Sequence, residues 1–353
     1  MKKDKLSARY LMSLFAILTI VLFSCNQNFS RLSKEENKYN LTTVVDLEDT
    51  AYSQKIENFY DNGKEGIFNG KADVQIYYRI FEQRNAEKAI LISSGRTEAA
   101  IKYKELIYDL YKNGYSVYIL DHRGQGLSGR MTEDLDMGYI DTFQFYIDDM
   151  KYFHDHYITP KSYKKTYLLS HSMGGAIGMT YLEQNPDDFH AAAFSSPMLG
   201  LKPPICSVVK VMDGDAPKYA IGESKYDDDK DSFEGNTLTG SELRYKRMID
   251  AFAKDPEARL GGATYRWINL SCLQFDYIFS NIDKINTPFI LFSAENEQIV
   301  YPYAHQKFID AAKELGKICL AYEVENAQHE LLIEKDEQRI ETINKTLDFY
   351  SKY

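Results

Sequence analysis

A positive charge balance, cysteines and long apolar runs are all lacking or scarce in this chain, and each shortage removes a class of function. Four cysteines in 353 residues form no Cys-x-x-Cys pair and no cysteine–histidine spacing, so the sequence offers no metal site. Lysine and arginine number 42 against 52 aspartates and glutamates, a formal charge of −10. With acids outnumbering cations there is no net positive charge to neutralise phosphates, and nucleic acid is a poor candidate as a partner. Overall charge would not draw it to an anionic membrane either, so any membrane contact must be apolar or covalent. No internal repeat recurs. The acidic run Asp227-Asp228-Asp229 lacks the spaced ligands of a calcium loop and reads as solvated surface.

The longest apolar stretch, Tyr10–Phe23, is too short to span a bilayer comfortably. It follows a basic start (Lys2, Lys3, Lys5, Arg9) and ends at Leu22-Phe23-Ser24-Cys25, which resembles a bacterial lipobox. That resemblance implies a signal segment over 1–24 and acylation of Cys25. It also implies a membrane-anchored lipoprotein of the bacterial cell envelope, facing outside the cytoplasm. An ordinary secretory signal, or a short N-terminal anchor in which Cys25 is incidental, is the competing reading. Residues 25–54 are polar and show no period, and are read as a flexible tether whose ends lie roughly 25–30 Å apart. In such a compartment Cys206 and Cys272 could pair, but three buried free thiols (Cys206, Cys272, Cys319) is the favoured reading.

From residue 55 onward, short β-rich runs alternate with amphipathic helical ones. Residues 55–81 read as entry hairpins around the turn Asn69-Gly70, and strands are expected at Ala89–Ser93, Ser116–Leu120, Thr166–Leu169, His190–Phe194, Pro288–Ser293 and Lys317–Val324. Helices are expected between them, which argues for a mostly parallel sheet with right-handed crossovers. The rhythm breaks over 198–275, where Pro203-Pro204 and a polar, acidic stretch intervene. This segment reads as an inserted lid between core segments 55–197 and 276–353.

Chemistry enters at Tyr167–Gly178, YLLSHSMGGAIG. A strand runs straight into a helix at Ser172, and a side chain at the apex of so tight a turn is pushed out of the sheet. Small residues must flank it because the two backbones approach closely. The pattern is similar to the nucleophile elbow of the α/β-hydrolases, with Ser170 in place of the first glycine. A serine needs a base, and the base an orienting carboxylate, in the chain order Ser, acid, His for this fold. Of seven histidines only His329 follows a late strand in a loop. The acid belongs after strand Phe289–Ser293, where Glu295 and Glu297 both stand. An oxyanion would be received by the N–H of Met173 and by that of Arg96, in the glycine-containing loop after Ala89–Ser93.

Four motifs carry a resemblance over about residues 55–350 to the monoacylglycerol lipase/lysophospholipase L2 group of serine hydrolases. Ser94-Gly95-Arg96-Thr97-Glu98 with Lys102-Tyr103 is similar to its HGxxE…RY segment, with Ser94 at the histidine. DHRGQGLSG, SHSMGG and AQHELL are similar to its DHxGxGxS, nucleophile and histidine segments. In related hydrolases the acid stands three residues before an apolar residue, which selects Glu297 (with Val300) over Glu295. The resemblance implies a catalytic Ser172, Glu297 and His329, an oxyanion hole at Arg96 and Met173, and a lid admitting one acyl chain. Neither cofactor nor metal is implied. The substrate class it implies is a lysophospholipid or monoacylglycerol. A soluble-substrate carboxylesterase or aminopeptidase, and a non-catalytic binding lipoprotein, are the alternatives.

Overall fold

The computed structural model describes residues 29–31, 35–214 and 216–353, so the signal segment and Cys25 lie outside the described residues. Nine strands join in one sheet: β1 (Ser30–Arg31), β2 (Lys64–Asn69), β3 (Gln75–Phe81), β4 (Lys88–Ser93), β5 (Tyr115–Leu120), β6 (Lys165–His171), β7 (Ala191–Ser195), β8 (Phe289–Ala294) and β9 (Cys319–Val324). Their spatial order is β1-β9-β8-β7-β6-β4-β5-β3-β2. Strands β1 and β4 to β9 are parallel, while β3 runs against β5 and makes an antiparallel pair with β2. The carboxyl ends of the parallel strands therefore share one edge, where ligands collect in open α/β sheets.

Period-two alternation splits the core into two layers. Tyr167 and Leu169 of β6 face one side, with Ile107 of α3 (Lys104–Lys112) and Ile343 of α10 (Asp336–Tyr350). Leu168 faces the other side, with Ile147 of α4 (Gln144–Phe153), Ala176 of α5 (Met173–Gln184) and Phe308 of α9 (Pro302–Glu314). Burial on both faces is why these strands read as continuous apolar runs.

Two sequence expectations are corrected at the amino-terminal side. The stretch expected as tether (25–54) and the start of the expected hairpins carry α1 (Val44–Glu48) and α2 (Thr50–Asp61). Thr43 and Asp46 form a capping box on α1, and Asp49 caps α2, signals that the absence of a long apolar period obscured. Leu41, Leu47, Ile56 and Tyr60 are buried. Thr42 is held by its own N–H and hydroxyl on Asp109 (3.0 and 2.7 Å) and by its carbonyl on Arg339 (3.1 Å). Further back, Tyr39 Oη donates to Asp348 of α10 (2.7 Å).

Between β7 and β8 the chain leaves the sheet and forms α6 (Ile205–Met212), α7 (Glu242–Lys254) and α8 (Tyr265–Ser280). The expected lid boundary at 275 cuts through α8, whose Ile278 continues into the main core together with Ile282. The thiol expectation is also corrected. Cys206 and Cys272 are disulfide-bonded, tying α6 to α8, while Cys319 is free and only half-buried. Among the described residues no helix is long and apolar enough to cross a membrane.

Candidate active site

Ser172 sits between the last residue of β6 and the first of α5 with φ +50° and ψ −119°, a left-handed conformation that a non-glycine residue adopts only under constraint. The small residues around it have specific reasons. A Cβ on Gly174 would lie 2.1 Å from the Ser93 carbonyl oxygen, and one on Gly175 2.4 Å from the Pro197 Cβ. Ser170 fits where a glycine is usual because Gly178 faces it, a Cβ there falling 2.6 Å from the Ser170 Oγ.

The three residues expected to meet do so, though 157 positions separate Ser172 from His329. The His329 Nε2 lies 2.9 Å from the Ser172 Oγ, and its Nδ1 lies 2.8 Å from Glu297 Oε2. A carboxylate can only accept, so Nδ1 carries the proton and Nε2 is left to accept from the serine hydroxyl. The other oxygen of Glu297 accepts from the N–H groups of Ile299 (2.8 Å) and Val300 (3.1 Å). Burial by itself would raise this carboxyl, but the His329 ring and those two N–H groups outweigh it and hold the pKa at about 2. Glu295, the runner-up, turns away. Its Oε2 accepts from Asn326 N–H (2.8 Å), and its side chain is partly exposed beside Arg31. His305 is likewise committed elsewhere, bridging Ser293 Oγ (2.8 Å) and the Pro197 carbonyl (2.7 Å), with its pKa lowered to about 4 by burial.

Met173 is the first residue of α5, so its N–H has no partner within the helix. The close approach of Gly174 to the carbonyls of Ser93 and Ser94 brings that helix start against the loop bearing Arg96. Glu98 folds the loop back by accepting from Gly95 N–H, and the Gln125 side chain clamps the carbonyls of Gly95 (2.7 Å) and Glu98 (2.8 Å). The DHRGQGLSG loop is thus scaffolding for the Arg96 loop. Asp121 accepts from Ala100 and Leu127 N–H (2.7 and 2.8 Å), and Arg123 makes a two-pronged ion pair with Asp149. The Arg96 guanidinium lies 5.1 Å over the Trp267 ring and donates to the Gly261 carbonyl (2.7 Å).

Sequence reasoning missed a buried ionic cluster directly beneath these parts. Lys102 pairs with Glu98 and with Glu330 (2.7 Å), Tyr103 donates to Glu98, and His171 Nε2 lies 3.1 Å from Glu330 and 3.6 Å from Glu98. On its other side His171 Nδ1 faces the Ser195 carbonyl (3.0 Å). Burial would lower the His171 pKa, yet the two carboxylates overcome it and raise it. The signals were present, in a Glu98/Lys102 pair one helical turn apart and an acid next to His329, but nothing in one dimension showed that they converge. Glu98, His171 and Glu330 could geometrically offer three ligand atoms to a cation, but the Lys102 ammonium already pairs with both carboxylates.

Above Ser172 and His329 opens a cavity of about 510 Å³, walled by apolar side chains of the inserted segment such as Met198, Leu201, Met248, Phe252 and Ile268. Its size suits a small organic ligand.

Sheet, elbow and loop order together define the class, an α/β-hydrolase. The chain belongs to the family described as serine aminopeptidase, S33, whose model matches residues 84–336. It is 32% identical over 313 residues to the lysophospholipase L2 of Escherichia coli (strain K12), covering 84% of this chain and 90% of that one. It is 33% identical over 304 residues to a probable lysophospholipase L2 of Haemophilus influenzae, covering 83% and 95%. Among solved structures, a soluble variant of monoglyceride lipase from Saccharomyces cerevisiae in complex with a substrate analog shares the fold at a TM-score of 0.66 and 18% identity, over 82% of this chain and 94% of that one. The Paleococcus ferrophilus monoacylglycerol lipase does so at 0.62 and 18%, over 78% and 98%. The resemblance read from the four motifs is borne out.

Proposed function

We propose that this protein hydrolyses the carboxylic ester of lipids with a single acyl chain, lysophospholipids first and monoacylglycerols second. The observation that carries the reading is the Glu297–His329–Ser172 hydrogen-bond relay on the floor of an apolar cavity. Its relatives named lysophospholipase L2 point to the same substrates. His329 Nε2 takes the hydroxyl proton as Ser172 Oγ bonds to the ester carbonyl carbon. The carbonyl oxygen gains the charge, which the Arg96 and Met173 N–H groups receive. Collapse breaks the carbon–oxygen bond to the leaving alcohol, which takes the proton from His329. Water then adds to the acyl-serine with His329 again as base, releasing the fatty acid and restoring the serine. No cofactor enters these steps.

The test compares fatty-acid release from lysophosphatidylcholine and monooleoylglycerol with turnover of p-nitrophenyl acetate and an aminoacyl amide, using wild type and Ser172→Ala. The lipids should be the better substrates, and Ser172→Ala should lose all activity while its melting temperature holds. Preference for the amide, or full turnover by the variant, would overturn the reading. Cys25 is assigned as the acylated residue of an envelope lipoprotein on the motif alone. Labelled palmitate should enter the wild-type chain in bacterial cells and fail to enter Cys25→Ser.

A further inference from the structure

The cavity above Ser172 has a polar wall that the hydrolysis chemistry leaves unused. Its spine is the segment 259–263, between α7 and α8. Arg96 donates to the Gly261 carbonyl there (2.7 Å), and Glu223 Oε2 accepts from Ala263 N–H (2.9 Å). The Arg259 guanidinium lies 4.9 Å over the Tyr226 ring, whose hydroxyl donates to Asp231 (2.6 Å). These side chains line the same cavity as Ser172 and His329, so charge of both signs faces whatever the serine attacks.

The two cations are under-satisfied. Nε of Arg96 and Nε of Arg259 are both buried without a hydrogen-bond partner. An oxyanion needs only the backbone N–H at position 96, which gives no reason for a guanidinium on that residue. Burial lowers the Arg96 pKa, and Glu223 restores it only in part, so the cation sits there at a cost. Arg259 pairs with Asp228 (2.9 Å), but that carboxylate is 70% exposed. A pair so well solvated is worth little and is readily exchanged for another anion.

The chemistry of the missing partner follows. A guanidinium matches a phosphate with its planar fork of donors. In a lysophospholipid the phosphate stands one glycerol unit beyond the scissile ester, a span comparable to an extended arginine side chain. With the carbonyl oxygen at the Arg96 N–H, the guanidinium of the same residue can reach the phosphate on the leaving alcohol. Glu223 and Asp231 then offer the opposite charge to the nitrogen of a choline or ethanolamine. An uncharged glycerol head group would leave both arginines and both acids unmatched.

We propose that this wall is a site for a zwitterionic phosphodiester head group, with Arg96 and Arg259 on the phosphate and Glu223 and Asp231 on the amine. The inference deepens the proposed hydrolysis and rests on it for the ester that is cut.

Oleoyl lysophosphatidylcholine, oleoyl lysophosphatidylglycerol and monooleoylglycerol, each in mixed detergent micelles, are given to the full chain. It is assayed as wild type, Arg259→Gln, Arg259→Lys, Arg96→Gln and Glu223→Gln/Asp231→Asn. The quantity read is the ratio of kcat/KM between two substrates of one variant, which cancels any loss of folded protein. Arg259→Gln and Arg96→Gln should each lower the ratio of lysophosphatidylcholine to monooleoylglycerol about tenfold or more, through KM in the case of Arg259. Arg259→Lys should recover part of it, keeping the charge without the fork. The acid variant should lower the ratio of lysophosphatidylcholine to lysophosphatidylglycerol about threefold. Phosphorus NMR gives a readout independent of turnover: wild type should broaden the line of glycerophosphocholine, and Arg259→Gln should not. Ratios within about twofold of wild type in both arginine variants, or no broadening by wild type, overturn the head-group site. Wild type inactive on all three lipids, yet broadening the line in an Arg259-dependent way, would overturn the proposed function and leave the site standing.

Discussion

Glu297 shows how a single side chain ties chemistry to stability. Its pKa is held at about 2, below the usual carboxylate value of 4.5, so its pairing with His329 contributes stability that is complete above about pH 4.5. That contribution drains away as the pH falls through the folded-state value near 2. Wild type should therefore lose its melting-temperature advantage over Glu297→Gln as the pH is lowered across this window, measured by thermal scans at successive pH values. At neutral pH the same variant should lose about 10³- to 10⁴-fold in kcat, because an uncharged amide no longer fixes the tautomer or supports the imidazolium. Lys102 makes a different prediction, since its ammonium is buried between two carboxylates beneath the site. Its ammonium holds Glu98 and Glu330 together, and Glu98 in turn shapes the loop of Arg96, whose N–H is proposed to receive the oxyanion. Lys102→Met should lower kcat by about 10²-fold with KM little changed, as expected for a displaced oxyanion donor. Lys102→Arg should recover most of the loss, and folding is followed in parallel by circular dichroism.

Among the elements, the hinge of interest is the pairing of α6 with α8. Reducing Cys206–Cys272 releases a 66-residue separation, and loss of such a link typically costs about 2–4 kcal/mol. Hydrogen exchange under a reductant should quicken first in α6, while β4 to β8, packed on both faces, stay protected. The sequence supported these elements unequally. Ser172, His329 and Glu297 were legible because the elbow needs small neighbours and the fold restricts where base and acid can stand. The choice of Glu297 over Glu295 rested on spacing to Val300, and Val300 N–H is indeed a partner of the carboxylate. The disulfide was not legible, since no local pattern brings Cys206 beside Cys272 across an insertion without a repeat or a strong period. Nor were α1 and α2, whose stability comes from caps and from a few residues packed on distant helices rather than from an apolar stripe.

On the scale of the whole molecule, residues 35–61 belong to the globule. Asp109 is fully buried and accepts from Thr42 and Arg339, while Arg244 also donates to the Thr42 carbonyl (3.2 Å), so strand-flanking helices and the inserted segment meet on one early residue. A chain beginning at residue 55 should be less stable than one beginning at residue 29 by about 5 kcal/mol or more. It loses buried Leu41 and Leu47 and strips partners from a buried ion pair, and urea unfolding would measure the difference.

The short strand β1 alters how an anchored form of this molecule could move. Ser30 pairs with Tyr322 on the sheet edge, only five residues after Cys25. Even fully extended, that leash reaches no more than about 18 Å. With Cys25 acylated as proposed, the globule would swing within less than its own width of the bilayer that holds it. Such an enzyme grazes on its home membrane and does not reach across to another.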